Sequence, residues 1–306
     1  MASDTKAAEH AGPVRLHAEL TTKLEAYRAT RAFDAEAWVD KKCAMFNDYC
    51  AKAGLKAAVV SVSGGVDSAV TLGLIKRASE MEGSPLKRIL GVAQPIHSSG
   101  WALERAAEAC KALGCDMVTV DQSELHTKLS GLVDAAVGVE GGAFAKGQLR
   151  SYMRTPVGYY VAQLLSQAGT PCVVMGTGNK DEDGYLLYYC KAGDGVVDVQ
   201  LIADLHKSEV FKVGAVLGVP ASILKAAPSA DLWEGHTDEE ELGFSYDFVE
   251  LFTGHYLLLD DAGKAAFAAD LGEEAAAQFE AWSKACVAVH KRNAHKLNSP
   301  ANLNIL

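Results

Sequence analysis

The stretch SVSGGVDSAV, Ser61–Val70, decides how this chain is read. It follows the apolar run Ala57-Ala58-Val59-Val60 and opens the pattern Ala69, Val70, Leu72, Leu74, Ile75. That order spells a buried strand, a Ser-Gly-Gly turn and a helix. Gly64 and Gly65 lack the Cβ atoms that would keep an anion from the backbone N–H groups. The helix start beyond them adds unpaired donors and the positive end of a dipole. Asp67, in the first helical turn, sets a carboxylate beside that anion, where it can hold the Mg²⁺ of a nucleotide. The pattern is not GxxxxGK[ST], so the phosphate is not placed as in a P-loop ATPase. A tight strand–helix turn of any α/β protein is the plainer reading. Two glycines with Asp67 and Ser68 at this spacing favour a phosphate site over it.

Strands at 57–62, 88–94, 116–120 and 172–176 alternate with helices at 66–82, 99–113, 122–137 and 146–168. Such alternation predicts an α/β fold, a doubly wound and mostly parallel sheet covered on both faces. Ligands of these sheets bind beyond the carboxyl ends of the strands, where the Ser63–Ser68 turn falls. Helices at 14–31 and 33–53 precede the first strand, with Asp34 placed to cap the second. The glycine-rich segment 138–147 reads as a mobile loop, and 177–200, which has no clean period, as a functional loop. Helices resume at about 207–217, after Asp204, and the tail from Asp238 is helical with breaks near Gly254 and Gly263. No repeat or linker is visible. Residues 1–306 read as one domain: a disordered tail at 1–12, helices within 13–54, and a core with C-terminal helices at 55–306.

Charged residues at 22% and hydrophobic residues at 49% suit a globular enzyme of 306 residues. A net charge of −10 argues against general nucleic-acid binding, which needs clustered Lys and Arg. Cys43, Cys50, Cys110, Cys115, Cys172, Cys190 and Cys286 form no CxxC pair and read as buried reduced thiols. The opening MASDTKAAEHAG has no apolar core, and no run approaches the roughly 18 residues that span a bilayer. A cytoplasmic protein with no membrane contact is expected.

Four further constellations carry chemistry. GTGNKDE, Gly176–Glu182, follows the apolar strand and so lies at the same sheet edge as the first turn. Glu182 there can complete an oxygen shell begun by Asp67, against the plain alternative of a solvated acidic loop. KAGDG, Lys191–Gly195, flanks Asp194 with glycines and presents a carboxylate on bent backbone. Lys207, in LHKSEV, has no local anion, which makes a phosphate partner attractive; a surface lysine is the default for one Lys seen alone. PSADLW, Pro228–Trp233, precedes HTDEEELG, where Thr237 and Glu240 have the spacing of a capping box. His290-Lys291-Arg292 forms a small basic cluster, or simply a solvated helix end.

Together these motifs resemble the N-type ATP pyrophosphatase superfamily and, within it, the NAD synthetase family, over residues 35–293. SGGxDS marks only the superfamily; the later motifs narrow it. The resemblance implies an adenine nucleotide alpha hydrolase-like fold and ATP-dependent amidation of deamido-NAD⁺. The nicotinate carboxylate attacks the α-phosphorus of ATP, and ammonia then displaces AMP from the adenylate. It implies a pyrophosphate loop of Ser63, Gly64, Gly65, Asp67 and Ser68, further ATP contacts at Arg150, Thr177 and Ser229, and Mg²⁺ on Asp67 and Glu182. Lys207 is implied at the α-phosphate and Asp194 at the ammonia site. Tyr188, Lys191, Asp198, Asp238, Glu239, His290 and Lys291 match positions around deamido-NAD⁺. Family members are homodimers with the dinucleotide at the interface, which helix 146–168, bearing Tyr152, Tyr159 and Tyr160, is suited to supply.

Some positions depart from the family pattern. NxxARxRM stands here as KGQLRSYM, with Tyr152 for an arginine. The stretch from Glu182 to Lys191 is one residue longer than in many relatives, Cys190 replaces a usual Thr, and His97-Ser-Ser-Gly100 replaces an acidic run. These changes fall at the ATP ribose and the ammonia pocket. Glutamine-dependent members carry an amidase domain ahead of the synthetase, whereas 56 residues precede the first strand here. Free ammonia, or ammonia from a separate amidase, is the expected nitrogen source. Another amidoligase of the superfamily, such as a GMP synthetase, is the alternative enzyme, with a tRNA-modifying ligase disfavoured by the charge. A silent nucleotide sensor is the alternative outside catalysis, and it has no need of Asp67, Glu182 and Lys207 together.

Overall fold

A computed structural model describes residues 14–226 and 237–297. The expected tail at 1–12 and Ser229 lie outside the described residues. Five strands form one sheet: β1 (Ala57–Ser61), β2 (Arg88–Ala93), β3 (Asp116–Thr119), β4 (Cys172–Gly176) and β5 (Val199–Gln200). Their order is β3-β2-β1-β4-β5, with every pairing parallel. The strand order reverses between β1 and β4, so a crevice opens beyond their carboxyl ends. Ser63–Ser68 and Thr177–Glu182 both emerge into it.

The helices are α1 (Ala18–Arg31), α2 (Ala35–Ala53), α3 (Val66–Glu80), α4 (Gly100–Ala112), α5 (Ser123–Val137) and α6 (Ala143–Gln167). After β4 come α7 (Lys207–Leu217), α8 (Ala221–Leu224), α9 (Asp238–Leu242), α10 (Tyr246–Glu250), α11 (Asp261–Ala269) and α12 (Glu273–Asn293). Successive strand residues serve opposite faces, as the pleat demands. Ala58 and Val60 of β1, with Val173 and Met175 of β4, pack beneath α2, α3, α4 and α7. Val59 and Val174 face α6 through Ala162. A separate aromatic cluster, Phe244, Phe248, Phe252, Phe267 and Phe279, joins Leu20 and Leu24 of α1 to the C-terminal helices.

Two glycines bring α3 and α7 together. A Cβ on Gly214 would meet Leu224 at 2.8 Å and Val70 at 3.2 Å, and one on Gly73 would meet Leu217 at 3.2 Å. Both helices start at the carboxyl edge of the sheet. Their close approach therefore sets Asp67, in the first turn of α3, near Lys207, the first residue of α7.

Several sequence expectations are corrected here. Residues 143–147 of the expected mobile loop belong to α6. The segment 177–200 contains a π-helical turn, Lys180–Leu186, and the edge strand β5. Two residues of strand leave no period to read. The tail does break near Gly263, at residues 259–260; Gly263 itself lies in α11 and donates its N–H to the Asp260 cap at 2.7 Å. Thr237 is the N-cap of α9, but its hydroxyl donates to Glu240 Oε2 at 2.8 Å instead of capping the backbone. Asp34 caps α2 as expected, accepting from the Ala37 N–H at 3.0 Å. All seven cysteines are free, four of them buried. Among the described residues no helix is long and apolar enough to cross a membrane.

Candidate active site

The loop after β1 is held by its own hydroxyls. Ser68 Oγ accepts from the Ser63 N–H at 3.2 Å and donates to the Gly65 carbonyl at 3.0 Å, while Ser63 Oγ accepts from the Gly65 N–H at 3.2 Å. Gly64 has φ +85°, and a Cβ there would stand 2.3 Å from the Ala102 carbonyl oxygen. Only glycine fits that backbone beneath α4. Gly65 begins α3 without a side-chain cap, which leaves the first N–H groups directed at the crevice.

Lys207 is the centre of the site. Its ammonium donates to Asp67 Oδ2 at 2.6 Å and to Glu182 Oε1 at 2.7 Å. Asn179 fixes both carboxylates: its Nδ2 donates to Asp67 Oδ1 at 3.0 Å, and its Oδ1 accepts from the N–H groups of Asp181 and Glu182, each at 3.0 Å. Burial opposes charge on Lys207, but Asp67 and Glu182 outweigh it and hold the ammonium above the ordinary lysine range. The same ammonium lies 5.3 Å from the ring centroid of buried Tyr246, whose hydroxyl donates to Asp238 Oδ2 at 3.3 Å.

Two hard oxygen donors thus converge on one point of positive charge. Such a pair suits Mg²⁺, which takes one or two protein carboxylates and completes its shell with phosphate and water. Among the described residues no group of three or more His, Cys, Asp or Glu could hold a metal. Two carboxylates alone would make only part of a shell, the rest falling to phosphate and water.

A buried brace locks the start of α7 to the π-helical turn. Asp181 and His206, both fully buried, meet at 2.7 Å through Oδ1 and Nδ1, and Asp181 Oδ2 accepts from the Lys207 N–H at 2.7 Å. Glu209 caps the His206 N–H at 3.0 Å and pairs with Arg31 of α1. One turn of chain therefore aims Glu182 at the Lys207 side chain while Asp181 holds its backbone.

Asp194 faces the same crevice from the opposite wall. Its Oδ1 accepts from the Cys190 N–H at 2.8 Å and from Ser151 Oγ at 3.2 Å. Protein crowded around the carboxylate raises its pKa by desolvation. The bend needs its glycines: a Cβ on Gly193 would strike Ser151 Oγ at 2.1 Å, and one on Gly195 the Tyr189 ring at 2.7 Å. Nearby Asp183 is pushed up to about 8 by burial and by the neighbouring carboxylates. The chain leading to Asp194 is clamped at intervals of three residues from α12 and the 3-10 turn Ala294–Leu297 that follows it. His290 Nδ1 lies 2.7 Å from the Tyr185 carbonyl, Asn293 Nδ2 donates to the Leu186 carbonyl at 3.1 Å, and Lys296 Nζ donates to those of Leu187 and Tyr189 at 2.8 and 2.6 Å.

The family model described as NAD synthase matches residues 38–300. This chain belongs to the NAD synthase family. The NH(3)-dependent NAD(+) synthetase of Methanococcoides burtonii is 38% identical over 201 residues, covering 64% of this chain and 70% of the relative. That of Alkaliphilus oremlandii is 36% identical over 221 residues, covering 70% and 83%. Among solved structures, NMN synthetase from Francisella tularensis is similar with a TM-score of 0.72 at 24% identity, over 89% of this chain and 100% of that one. NH3-dependent NAD synthetase from Campylobacter jejuni is similar at 0.64 and 19%, with the same coverage. These structural likenesses are likenesses of fold.

The family positions divide by placement. Ser63, Gly64, Gly65, Asp67, Ser68, Thr177, Glu182, Tyr188, Lys191, Asp194, Lys207 and Asp238 surround one cavity of about 840 Å³. Arg150 does not line it; Arg154, one turn later, does, with Nε donating to the Gln94 carbonyl at 3.3 Å. Glu239 turns to the Tyr246 N–H at 2.8 Å, and Glu241 lines the cavity instead, accepting from the Tyr188 hydroxyl. Asp198 accepts from the Val174 N–H at 2.9 Å and the Tyr159 hydroxyl at 3.1 Å, away from the cavity. His290 stacks on Tyr185, 4.6 Å between centroids, and Lys291 faces a shallow outer groove beside Phe252.

Asn179, Asp181, His206, Tyr246, Arg154 and Lys296 escaped the sequence reading. Asn179 and Asp181 stand inside the quoted GTGNKDE motif, and their commitment to Asp67 and Lys207 had no local signal.

Proposed function

We propose that this chain joins ammonia to deamido-NAD⁺ at the expense of ATP, giving NAD⁺, AMP and pyrophosphate. The observation that carries the reading is the Lys207 ammonium held between Asp67 and Glu182 at the mouth of the glycine loop, in a cavity that also reaches Asp194. A carboxylate is a poor acyl donor. Its oxygen attacks the α-phosphorus, the bond to the β-phosphate oxygen breaks, and pyrophosphate leaves with the electron pair. Lys207 and the loop N–H groups stabilise the charge spread over the transferring phosphorus. The ammonia lone pair then attacks the activated carbonyl carbon, AMP departs, and Asp194 takes the surplus proton.

Asp67 and Glu182 are suited to hold Mg²⁺, which when bound neutralises phosphate charge. The loop hydroxyls of Ser63 and Ser68 shape the backbone for phosphate, with Thr177 and Arg154 on the nucleotide side. Tyr188, Lys191 and Asp238 line the same cavity, which supports giving them to the dinucleotide. The remaining family positions, Asp198, Glu239, His290 and Lys291, fit a dinucleotide only through a second subunit or through the loops they support.

Three finer readings accompany this one. The chain acts as a homodimer joined through α6, where Tyr152, Pro156, Tyr160 and Leu164 form an i, i+4 stripe and Tyr160 is 65% exposed. It works as a single domain. It works in the cytoplasm, consistent with seven free thiols.

The test is direct. Purified protein with Mg²⁺-ATP, deamido-NAD⁺ and ammonia is expected to release AMP and NAD⁺ in equal amounts. Turnover with glutamine alone would overturn the nitrogen source, and turnover of nicotinate mononucleotide alone would overturn the dinucleotide substrate. AMP formed only with xanthylate would reassign the chain to GMP synthesis. Sedimentation as a monomer at micromolar concentration would remove the α6 interface.

A further inference from the structure

The helix α4 lies directly on the phosphate loop. The Gly64 backbone approaches the Ala102 carbonyl so closely that no Cβ fits between them. Arg105 stands three residues further along this helix. Its guanidinium carbon lies 4.6 Å from the centroid of the Trp101 ring, an i, i+4 stack that holds the planar fork in one orientation. Both side chains line the cavity that contains Gly64, Gly65 and Lys207. The adjoining wall is α8, tied to α4 by Ser222 Oγ donating to Glu108 Oε2 at 2.6 Å.

Charge at this end of the cavity is short of what a triphosphate needs. Lys207 is the ammonium closest to the loop, and it faces two carboxylates, so the trio carries a net negative charge. Of the other cations of the wall, Arg154 donates to the Gln94 carbonyl, Lys191 to that of His295, and Lys296 to those of Leu187 and Tyr189, while Arg292 stands on α12. Arg105 forms no ion pair among the described residues; its partner is the Trp101 face. A guanidinium oriented this way matches two oxygens of a phosphate with parallel N–H donors.

We propose that Arg105, oriented by Trp101, binds the terminal phosphates of ATP and the pyrophosphate that departs. The inference rests on the ATP-cleaving ligase reading above and adds to the glycine loop and Lys207 a further cation for the leaving pyrophosphate. Arg105 touches the leaving group, and Trp101 acts only through Arg105, as a positioning residue.

The experiment is calorimetric titration of the wild type, Arg105→Gln, Arg105→Lys and Trp101→Leu with inorganic pyrophosphate and Mg²⁺, and with AMP as control. Arg105→Gln is expected to weaken pyrophosphate about tenfold, the loss of one charge-assisted contact, and to leave AMP within twofold. Arg105→Lys retains part of the affinity, and Trp101→Leu loses less than Arg105→Gln. In turnover, KM for ATP rises and KM for ammonia stays put. Arg105 is half-buried in the cavity wall, and circular dichroism verifies that its variants fold. Undiminished pyrophosphate binding by Arg105→Gln overturns the proposal, and so does an equal loss of AMP. Weakened pyrophosphate binding in a protein that makes AMP but no NAD⁺ upholds Arg105 and removes the amidation reading.

Discussion

Replacing Lys207 by methionine removes the ammonium and keeps the length of the side chain. Asp67 Oδ2 and Glu182 Oε1 then lose donors at 2.6 and 2.7 Å, in a place where each carboxylate side chain is 18% exposed. Breaking a buried pair by deleting one partner costs about 3–5 kcal/mol. The two carboxylates also face each other without a cation, so both bind protons more readily in the folded state than in the unfolded chain. The sign follows: carboxyls with raised folded pKa values stabilise at low pH and lose that contribution as pH climbs. Lys207→Met should therefore recover stability relative to wild type on acidification from pH 8 toward pH 5. Mg²⁺ should raise the melting temperature of the variant more than that of the wild type, because in the wild type the ammonium competes for the same oxygens. Urea unfolding across this pH range measures the first two effects, and thermal unfolding with and without Mg²⁺ the third. Turnover should fall by about 10²–10³-fold, the usual effect of removing one preorganised donor from a charged transition state. A variant within about 1 kcal/mol of wild type at pH 8, with equal Mg²⁺ increments, would refute the central role given to this trio.

Asp194→Asn should leave adenylate formation intact, seen as pyrophosphate exchange into ATP, while slowing NAD⁺ release about 100-fold; equal loss in both assays removes Asp194 from the ammonia step. Lys296→Met should loosen the chain between Glu182 and Asp194, raising KM for ammonia about tenfold with exchange within twofold, and Lys296→Arg should restore part of it. An unchanged ammonia KM refutes the clamp. Gly64→Ala forces a Cβ against the Ala102 carbonyl at φ +85° and should cost about 1–3 kcal/mol in urea unfolding while raising KM for ATP. Arg28→Met strips buried Glu250 of its cation, the contact at 2.6 Å, and should cost about 3–5 kcal/mol. Burial works to raise the Glu250 carboxyl, but Arg28 and Ser208 hold it below the ordinary range. Its contribution is present above the ordinary glutamate pKa and lost as pH falls through the folded value, so Glu250→Gln should flatten the acid limb of the stability curve.

Much of the fold was legible because its signals are local. The apolar runs before Ser61 and before Gly176, the glycines of the first turn and the cap at Asp34 lie within a few residues of what they determine. The edge strand Val199–Gln200 was not legible, since two residues carry no period and pair only because β4 is already there. The π-helical turn was hidden for a related reason. Asn179, at its N-cap, accepts from two N–H groups, and the shelter for Leu186 comes from the aromatic cluster of α10 and α12. The family pattern marked Arg150, yet Arg154 lines the cavity, and the residues of α6 carry no local signal that separates the two.

The loop that receives phosphate, the parallel sheet that presents it and the family of the chain are all written in the order of the amino acids. Each of these is written in contiguous residues, by backbone freedom at glycine and by the spacing of apolar side chains. That Lys207 stands between Asp67 and Glu182, across 140 and 25 residues of chain, follows from packing alone. The parallel crossover that sets β1 beside β4, and the glycines that let α3 and α7 touch, put those three charges at one point. The same packing laid α4 over Gly64 and set Arg105 beside the loop, a placement without any trace in the local sequence.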